Sequence, residues 1–284
     1  SLSRLCQLDL ACGNLPPGQE LPASLAALSC LERLSLHLEP SYQPSPEGEH
    51  LRLPWAWCQA APAVTYLCLH AVDLPRLWGR PSSGRCRPRI FPALEELVIY
   101  NPVAPLSITA LSHCHSVRVV KLDMPGMSWA DWDSLVPLAN LERLHIKHCS
   151  SLATGDDQPG VLGSFSALTS LTYLGLCSVS FFHPLVAQLP ALRHVELFDA
   201  DSQEAVGWAL PPGPWLQNLE HLSITQSVVG SIAAALRQAT RLTSLRLDSC
   251  PWLRFRREEL PLLLALPLRE IRLDKRPIYI EDGG

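Results

Sequence analysis

Histidine and cysteine side chains that could bind a metal ion occur in two short segments. One is His113-Cys-His115, and the other contains His145, His148 and Cys149. The first segment precedes one apolar stretch and the second ends the next stretch, so extended chain at about 3.3 Å per residue separates them by roughly 20–30 Å. Zinc ligands lie about 2.0–2.3 Å from a shared ion. The spacing therefore predicts no metal site, and nothing else in the sequence indicates a cofactor.

Signature motifs of common catalytic sites are absent from the sequence. It contains no G-x-S-x-G nucleophile elbow, no H-E-x-x-H zinc motif, no G-x-x-x-x-G-K-[ST] phosphate loop and no paired C-x-x-C. We therefore predict that the chain is not an enzyme.

An arginine-rich segment spans residues 75–89. It carries no acidic residue and five guanidinium groups, those of Arg76, Arg80, Arg85, Arg87 and Arg89. Guanidinium groups bind phosphate and carboxylate, so the segment could contact an acidic protein or a nucleic acid, and it could equally be a solvated loop without a ligand. The formal net charge of −4 argues against a general affinity for polyanions. Nucleic acid is therefore the least favoured of the three interpretations.

The elements that must position these side chains follow an internal repeat. Residues 141–149, LERLHIKHC, have apolar side chains at positions one, four and six and basic side chains at positions three, five and seven. This alternation is typical of a β-strand with one buried face. The same apolar offsets occur in eleven units, which begin at Leu5, Leu31, Val64, Leu94, Val117, Leu141, Leu171, Leu192, Leu219, Leu242 and Leu268.

This pattern resembles that of leucine-rich-repeat proteins, L-x-x-L-x-L-x-x-C, over nearly the whole chain. The best matches are Leu141–Cys149 and Leu242–Cys250, where cysteine fills the ninth position. In that respect the units resemble the cysteine-containing repeats of F-box-type receptors. The resemblance implies an α/β solenoid, with a parallel β-sheet on the concave face and helices and irregular turns on the convex face.

We predict a single domain over residues 1–284, with residues 268–284 at its C-terminal edge. Prolines and glycines predict long return loops at 40–63, 73–93, 150–170 and 201–218. Helical spacing of apolar residues predicts short helices in other return paths, such as those near 232–236 and 260–264. At the N-terminal edge, Leu5, Leu8 and Leu10 have no polar capping segment before them, so we expect upstream chain or a partner to cover them.

The outward-facing strand positions are the candidate binding surface. They carry aromatic side chains, histidines and charges of both signs, and aromatic and arginine residues are favoured binding anchors. Positions three, five and seven of the middle units include Cys68 and Val98 and the residues that we select for a partner protein, namely Tyr66, Tyr100, Lys121, Arg143, His145, Lys147, Tyr173, His194, Glu196, Phe198 and His221. Tyr173 and Phe198 are the expected anchors. The tryptophans of the return loops could plug those loops or anchor a partner.

Cysteine usage and hydropathy bear on the compartment. The ten cysteines are scattered through the chain, and none of the asparagines starts an N-x-S/T sequon. This distribution favours reduced thiols and an intracellular protein in a reducing compartment, for which we expect the cytoplasm, with the nucleus or an organelle as alternatives. No apolar run reaches about 18 residues, so we predict no membrane span.

Taken together, these features predict a non-catalytic protein–protein interaction module, a scaffold or subunit of a larger intracellular assembly that binds another protein on its concave face. The resemblance to F-box proteins implies an alternative role as the substrate-recognition part of a ubiquitin-ligase receptor. A third hypothesis is RNA or phosphate binding through the arginine-rich segment.

Overall fold

A computed structural model describes residues 4–12, 28–38, 63–70, 91–100, 114–123, 135, 137–148, 167–178, 186–199, 208–227, 229–250, 253–273 and 279–281. The chain divides into two compact units. The first comprises residues 1–124 and 130–141, and the second comprises residues 125–129 and 142–284. The organisation as one domain stays a prediction from the repeat pattern.

The first unit contains five parallel strands whose order along the sheet follows their order in the chain. Each strand coincides with a template unit of the sequence and pairs in register with the next, for example Leu34 with Leu67 and Leu67 with Leu97. The strands are β1 (Gln7–Cys12), β2 (Arg33–Leu38), β3 (Tyr66–His70), β4 (Glu96–Tyr100) and β5 (Val119–Asp123).

The second unit continues the same arrangement with six parallel strands. Leu174 pairs with Val195, and Val195 with Leu222, so equivalent positions of neighbouring repeats lie side by side. The strands are β6 (Arg143–Lys147), β7 (Tyr173–Cys177), β8 (His194–Phe198), β10 (His221–Thr225), β12 (Ser244–Asp248) and β14 (Glu270–Leu273). Strands β9, β11 and β13, which are described below, are short strands of the return paths. The eleven repeat strands confirm the predicted parallel solenoid of repeats.

The template leucines form the core, as the sequence predicts. Leu174, Leu197 and Leu222 are each 1% exposed or less. Burial of each such side chain contributes roughly 1.5–3 kcal/mol through removal of apolar surface from water.

A further core column, which the sequence analysis missed, lies three residues before seven of the template units. Its members are buried, and in most units the backbone N–H of template position one donates to their carbonyl, as Leu94 N–H does to Phe91 at 2.9 Å. This turn brings an apolar side chain under the start of each strand. The column consists of Phe91, Cys114, Leu138, Leu168, Leu189, Leu216 and Ala239.

Left-handed residues end the strands of the second unit. The residue after each of five strands has φ between 51° and 58°, and these residues are His148, Ser178, Asp199, Gln226 and Ser249. In three of them the backbone N–H donates to the last carbonyl of the following strand, as Gln226 N–H does to Asp248 at 2.8 Å. In these three repeats the turn therefore adds one hydrogen bond to the ladder, which offsets the cost of a positive φ.

The return paths contain short regular elements. Helices α1 (Ala233–Leu236) and α2 (Leu260–Leu264) lie where helical spacing predicts them. The predicted loop at 201–218 is not irregular throughout, because it contains β9 (Trp208–Ala209) and a 3-10 helix at Pro214–Asn218. Strand β9 pairs with β11 (Val229–Ser231), and β13 (Arg254–Arg256) pairs with β15 (Tyr279–Glu281).

Trp215 packs the described part of the predicted 201–218 loop against the core. Its side chain is fully buried, and its indole N–H donates a 3.0 Å hydrogen bond to the carbonyl of Pro211. The loop tryptophans could either pack inside their loops or contact a partner, and Trp215 packs inside its loop. Proline in the first turn of its 3-10 helix pre-sets the backbone there.

In the first and last repeat strands, side chains at the template core positions are partly exposed to solvent. Leu5, Leu8 and Leu10 are partly exposed, and Ile271 and Leu273 of β14 are 47% and 44% exposed. What covers the first repeat stays a prediction. Within the described residues, no helix is long and apolar enough to cross a membrane.

Candidate functional site

The outward-facing side chains of the second unit are aligned by strand register. Arg143 pairs with Tyr173, Tyr173 with His194, and His194 with His221. Parallel strands lie about 4.8 Å apart, so side chains at paired positions are direct neighbours. The alignment predicted for these four residues is confirmed, and we call them the basic row.

The four side chains of the basic row pack against one another. The Arg143 guanidinium carbon lies 4.6 Å from the centre of the Tyr173 ring, in cation–π geometry. The Tyr173 and His194 ring centroids are 4.9 Å apart, and those of His194 and His221 are 5.1 Å apart with stacked planes. Each side chain therefore restricts the rotamers of the next.

Glu196 holds the middle of the basic row by two hydrogen bonds. The Tyr173 hydroxyl donates to Oε2 at 2.7 Å, and Nε2 of His194 lies 2.9 Å from Oε1. Because a carboxylate can only accept, that imidazole nitrogen carries the proton. The hydrogen bond from His194 lowers the pKa of Glu196 to about 2, helped by Tyr173 and by the nearby His145 and opposed by partial burial. Burial, followed by the bond to Glu196, raises the pKa of Tyr173.

Gly175 creates the space that His145 occupies. These residues are paired on adjacent strands, and a Cβ built on Gly175 would lie 2.5 Å from Nδ1 of His145 and 3.2 Å from the Tyr173 hydroxyl. Any larger residue would displace the imidazole. The missing side chain thus places His145 close to Tyr173 and Glu196.

Lys147 and Phe198 lie at the far ends of their strands and are exposed. Phe198 is 44% exposed and pairs with Cys177 on one side and Thr225 on the other. An exposed phenyl ring between two small, partly exposed side chains offers an apolar contact beside the basic row. The structure therefore brings together eight of the predicted site residues in the second unit, namely Arg143, His145, Lys147, Tyr173, His194, Glu196, Phe198 and His221.

The remaining predicted residues, Tyr66, Tyr100 and Lys121, belong to the first unit. Lys121 pairs with Glu96 at 2.7 Å. The rings of Tyr100, His70 and His37 lie side by side on adjacent strands. The ring centroids of Tyr100 and His70 are 6.2 Å apart, and those of His70 and His37 are 5.9 Å apart.

Tyr66 has an arginine neighbour that the sequence analysis missed. The Arg33 guanidinium carbon lies 3.9 Å from the centre of the Tyr66 ring. Arg33 and His37 occupy positions three and seven of the unit that begins at Leu31, so the template itself contained the signal.

Cys68 and Val98 correct the expectation that every position-five side chain faces solvent. They are 5% and 2% exposed. Both are short side chains. Cys68 lies between Tyr66 and His70 on the outward-facing side of β3, and Val98 lies between Glu96 and Tyr100 on that of β4. The Tyr66 side chain also forms a hydrogen bond with the Cys68 thiol. Burial and that thiol raise the pKa of Tyr66 to about 12.

The other sequence candidates have different outcomes. Arg76, Arg80, Arg85, Arg87 and Arg89 lie outside the described residues, as do His113 and Cys149. Among described residues, no group of three or more histidine, cysteine or acidic side chains is placed to hold a metal ion. Cys6, Cys30, Cys68, Cys114 and Cys177 are free thiols.

Comparison with known proteins yields structural matches. No protein-family model matches the chain, and no curated protein does. An internalin from Listeria monocytogenes is similar with a TM-score of 0.52 at 15% identity, over 99% of this chain and 83% of that one. A chain of the mouse RP105/MD-1 complex is similar with a TM-score of 0.52 at 16% identity, over 96% of this chain and 50% of that one. A chain of the Drosophila Toll–Spatzle complex is similar with a TM-score of 0.51 at 16% identity, over 96% of this chain and 43% of that one.

Sequence identities this low establish the fold alone. This chain spans half or less of the length of the matched chains in the RP105/MD-1 and Toll–Spatzle complexes. Nothing in these similarities points to an F-box receptor or to RNA binding. The matched proteins carry leucine-rich repeats, and this chain builds one strand from every repeat of that kind. The chain has the leucine-rich-repeat fold.

Proposed function

We propose that this chain is a non-catalytic protein-binding module, a scaffold or subunit of a larger assembly, which binds a partner protein through the exposed strand face of its second unit. The observation that carries the proposal is the basic row, in which four side chains on consecutive strands pack at 4.6, 4.9 and 5.1 Å.

Preorganisation supports a binding role for this face. Holding a flexible side chain at an interface costs about 0.5–1.5 kcal/mol, and a side chain already fixed in the free protein avoids much of that cost. Tyr173 is fixed by Arg143, His194 and Glu196 together. Its edge and the exposed ring of Phe198 are then available without reordering.

The residue types of this face also support the proposal. Tyrosine and arginine are enriched among residues that dominate binding energy. The face contains both, with a phenylalanine that is 44% exposed.

The fold is compatible with such a role. Repeat solenoids present extended surfaces and rarely carry chemistry themselves. Two of the similar structures are complexes, RP105 with MD-1 and Toll with Spatzle. We take from them the use of this fold in protein complexes and not the identity of a partner.

The experiment compares proteins captured from the native source by four forms of the chain. Wild type and Arg237→Ala should retain the same partner, whereas Tyr173→Ala and Phe198→Ala should lose it. Arg237 is a matched control because it is exposed at the C-terminal cap of α1, away from the strand face. Equal capture by all four forms contradicts the proposal.

A further inference from the structure

We infer that the partner segment bound by the basic row is an acidic peptide, with carboxylates facing Arg143 and Lys147 and an apolar side chain against Phe198. This inference rests on the proposed function and adds the chemistry of the ligand. It follows from how charge is distributed over the second unit.

The carboxylate that holds the middle of the basic row is already engaged. Glu196 accepts from Tyr173 at 2.7 Å and pairs with His194 at 2.9 Å. Its negative charge is therefore used within the face and is poorly placed to satisfy an incoming cation.

Arg143 and Lys147 differ from the other cations on and beside the repeat strands of the second unit. Within the part of the chain that the structure describes, neither has a carboxylate partner, and Arg143 contacts the ring of Tyr173. By contrast, Arg193, Arg246 and Arg272 all pair with carboxylates, at 3.5, 3.1 and 2.6 Å. Among the described repeat strands of the second unit, positive charge without a carboxylate partner is therefore concentrated on β6.

Two acidic side chains near the face are engaged in other contacts. Asp199, just after β8, accepts a 3.0 Å hydrogen bond from the Ser178 hydroxyl. Glu220 pairs with Arg193.

The dimensions suit a short extended segment. Four strands about 4.8 Å apart span roughly 14 Å, which equals about four residues of extended chain. The planar Arg143 guanidinium, held on the Tyr173 ring, keeps its N–H edge available for a bidentate carboxylate. Phe198 pairs with Cys177 and Thr225 beside this path, where an apolar side chain of the segment can pack.

Ring packing favours a peptide over a nucleic acid. Single-stranded nucleic acids bind by stacking bases on open aromatic faces. Tyr173 has Arg143 on one side and His194 on the other, and His194 lies between Tyr173 and His221. Their faces are therefore covered by each other, whereas the cations remain accessible to carboxylates.

The test measures binding of short fluorescent peptides to the whole chain by anisotropy. One peptide is rich in glutamate and contains one phenylalanine, and its control has glutamine at every glutamate position. We expect the acidic peptide to bind at least about tenfold more tightly, with affinity that falls as salt is added. Arg143→Glu combined with Lys147→Glu should weaken it about tenfold or more, while Arg237→Glu should not.

Three results would overturn the inference. These are absence of binding by the acidic peptide, equal binding of the glutamine control, and preferential binding of a short oligothymidylate with the same dependence on Arg143 and Lys147. A native partner that is lost on Tyr173→Ala but unaffected by the double charge reversal would overturn the acidic chemistry alone. A partner indifferent to Tyr173 and Phe198 would instead contradict the proposed function. Thermal midpoints of all variants establish that they are folded.

Discussion

The hydroxyl of Tyr173 on β7 donates a 2.7 Å hydrogen bond to Oε2 of Glu196 on β8. This bond joins two neighbouring repeats on the exposed side of the sheet, where leucine packing cannot contribute. Since His194 holds the other oxygen of Glu196 at 2.9 Å, the tyrosine ring is fixed relative to the histidine beside it. The geometry of the candidate site therefore depends on one shared carboxylate.

The first prediction concerns pH. The pKa of Glu196 is lowered from 4.5 to about 2, so the carboxylate stabilises the fold above its unfolded-state pKa and loses that effect as pH falls through the folded-state value. The difference in unfolding free energy between wild type and Glu196→Gln should shrink between about pH 4.5 and pH 2. Urea titrations at a series of pH values measure it.

Tyr173→Phe is the comparison for this pH experiment. It removes one of the two hydrogen bonds to Glu196 and should leave a smaller pH-dependent difference. A difference between wild type and Glu196→Gln that stays constant over the same pH range would contradict the hydrogen-bonded cluster.

The second prediction concerns Gly175. In Gly175→Ala the new methyl group would lie 2.5 Å from Nδ1 of His145, so the imidazole must move. Because the obstructing atom belongs to a partly exposed, rotatable side chain, the loss of stability should be small, about 1 kcal/mol. NMR signals of the His145 ring should shift. Ser223→Ala, at the same repeat position on β10, is the control and should leave them unchanged.

Much of the fold could be predicted from the sequence because the repeat is read directly from spacing. A period of two places Leu174, Leu197 and Leu222 in the core and aligns Arg143 with Tyr173 on the opposite face. The additional core column at Phe91 and its equivalents was also present in the sequence, three residues before each unit, but a template that begins at the strand omits it.

Other features depend on side-chain packing and could not be predicted from spacing. Cys68 and Val98 occupy outward-facing positions yet are buried, because longer neighbours cover them. Trp215 could have faced a partner, and its role was decided by the 3.0 Å bond to Pro211. Likewise, a period of two places His145 and Gly175 on one face but says nothing about the empty space that lets the imidazole approach Tyr173.

The third prediction tests the core register. Leu197 is 1% exposed, so Leu197→Ala should lower the unfolding free energy by about 2–5 kcal/mol. Leu197→Asp should be more damaging, because it places an unpaired charge among apolar side chains. Chemical denaturation measures both, with Phe198→Ala as the adjacent control, since that ring is 44% exposed. Equal stability of Leu197→Asp and wild type would mean that the register is wrong.

The fourth prediction follows from the thiols. We propose that the protein works in a reducing, intracellular compartment. The Cys114 thiol is buried, which raises its pKa to about 12 and makes it unreactive in the folded state. Titration of unfolded protein without reductant should count all ten cysteines of the sequence as thiols. A lower count that reductant restores would indicate disulfides and an oxidising compartment.

The central claim, that a partner protein binds the exposed face at the basic row, is tested most directly by calorimetric titration of the captured partner. Tyr173→Ala and Phe198→Ala should each weaken binding by about 2 kcal/mol, roughly thirtyfold, with little change in thermal midpoint. Arg237→Ala should bind like wild type. Normal binding by both face variants, together with loss of binding in Arg237→Ala, would place the partner elsewhere and contradict the account.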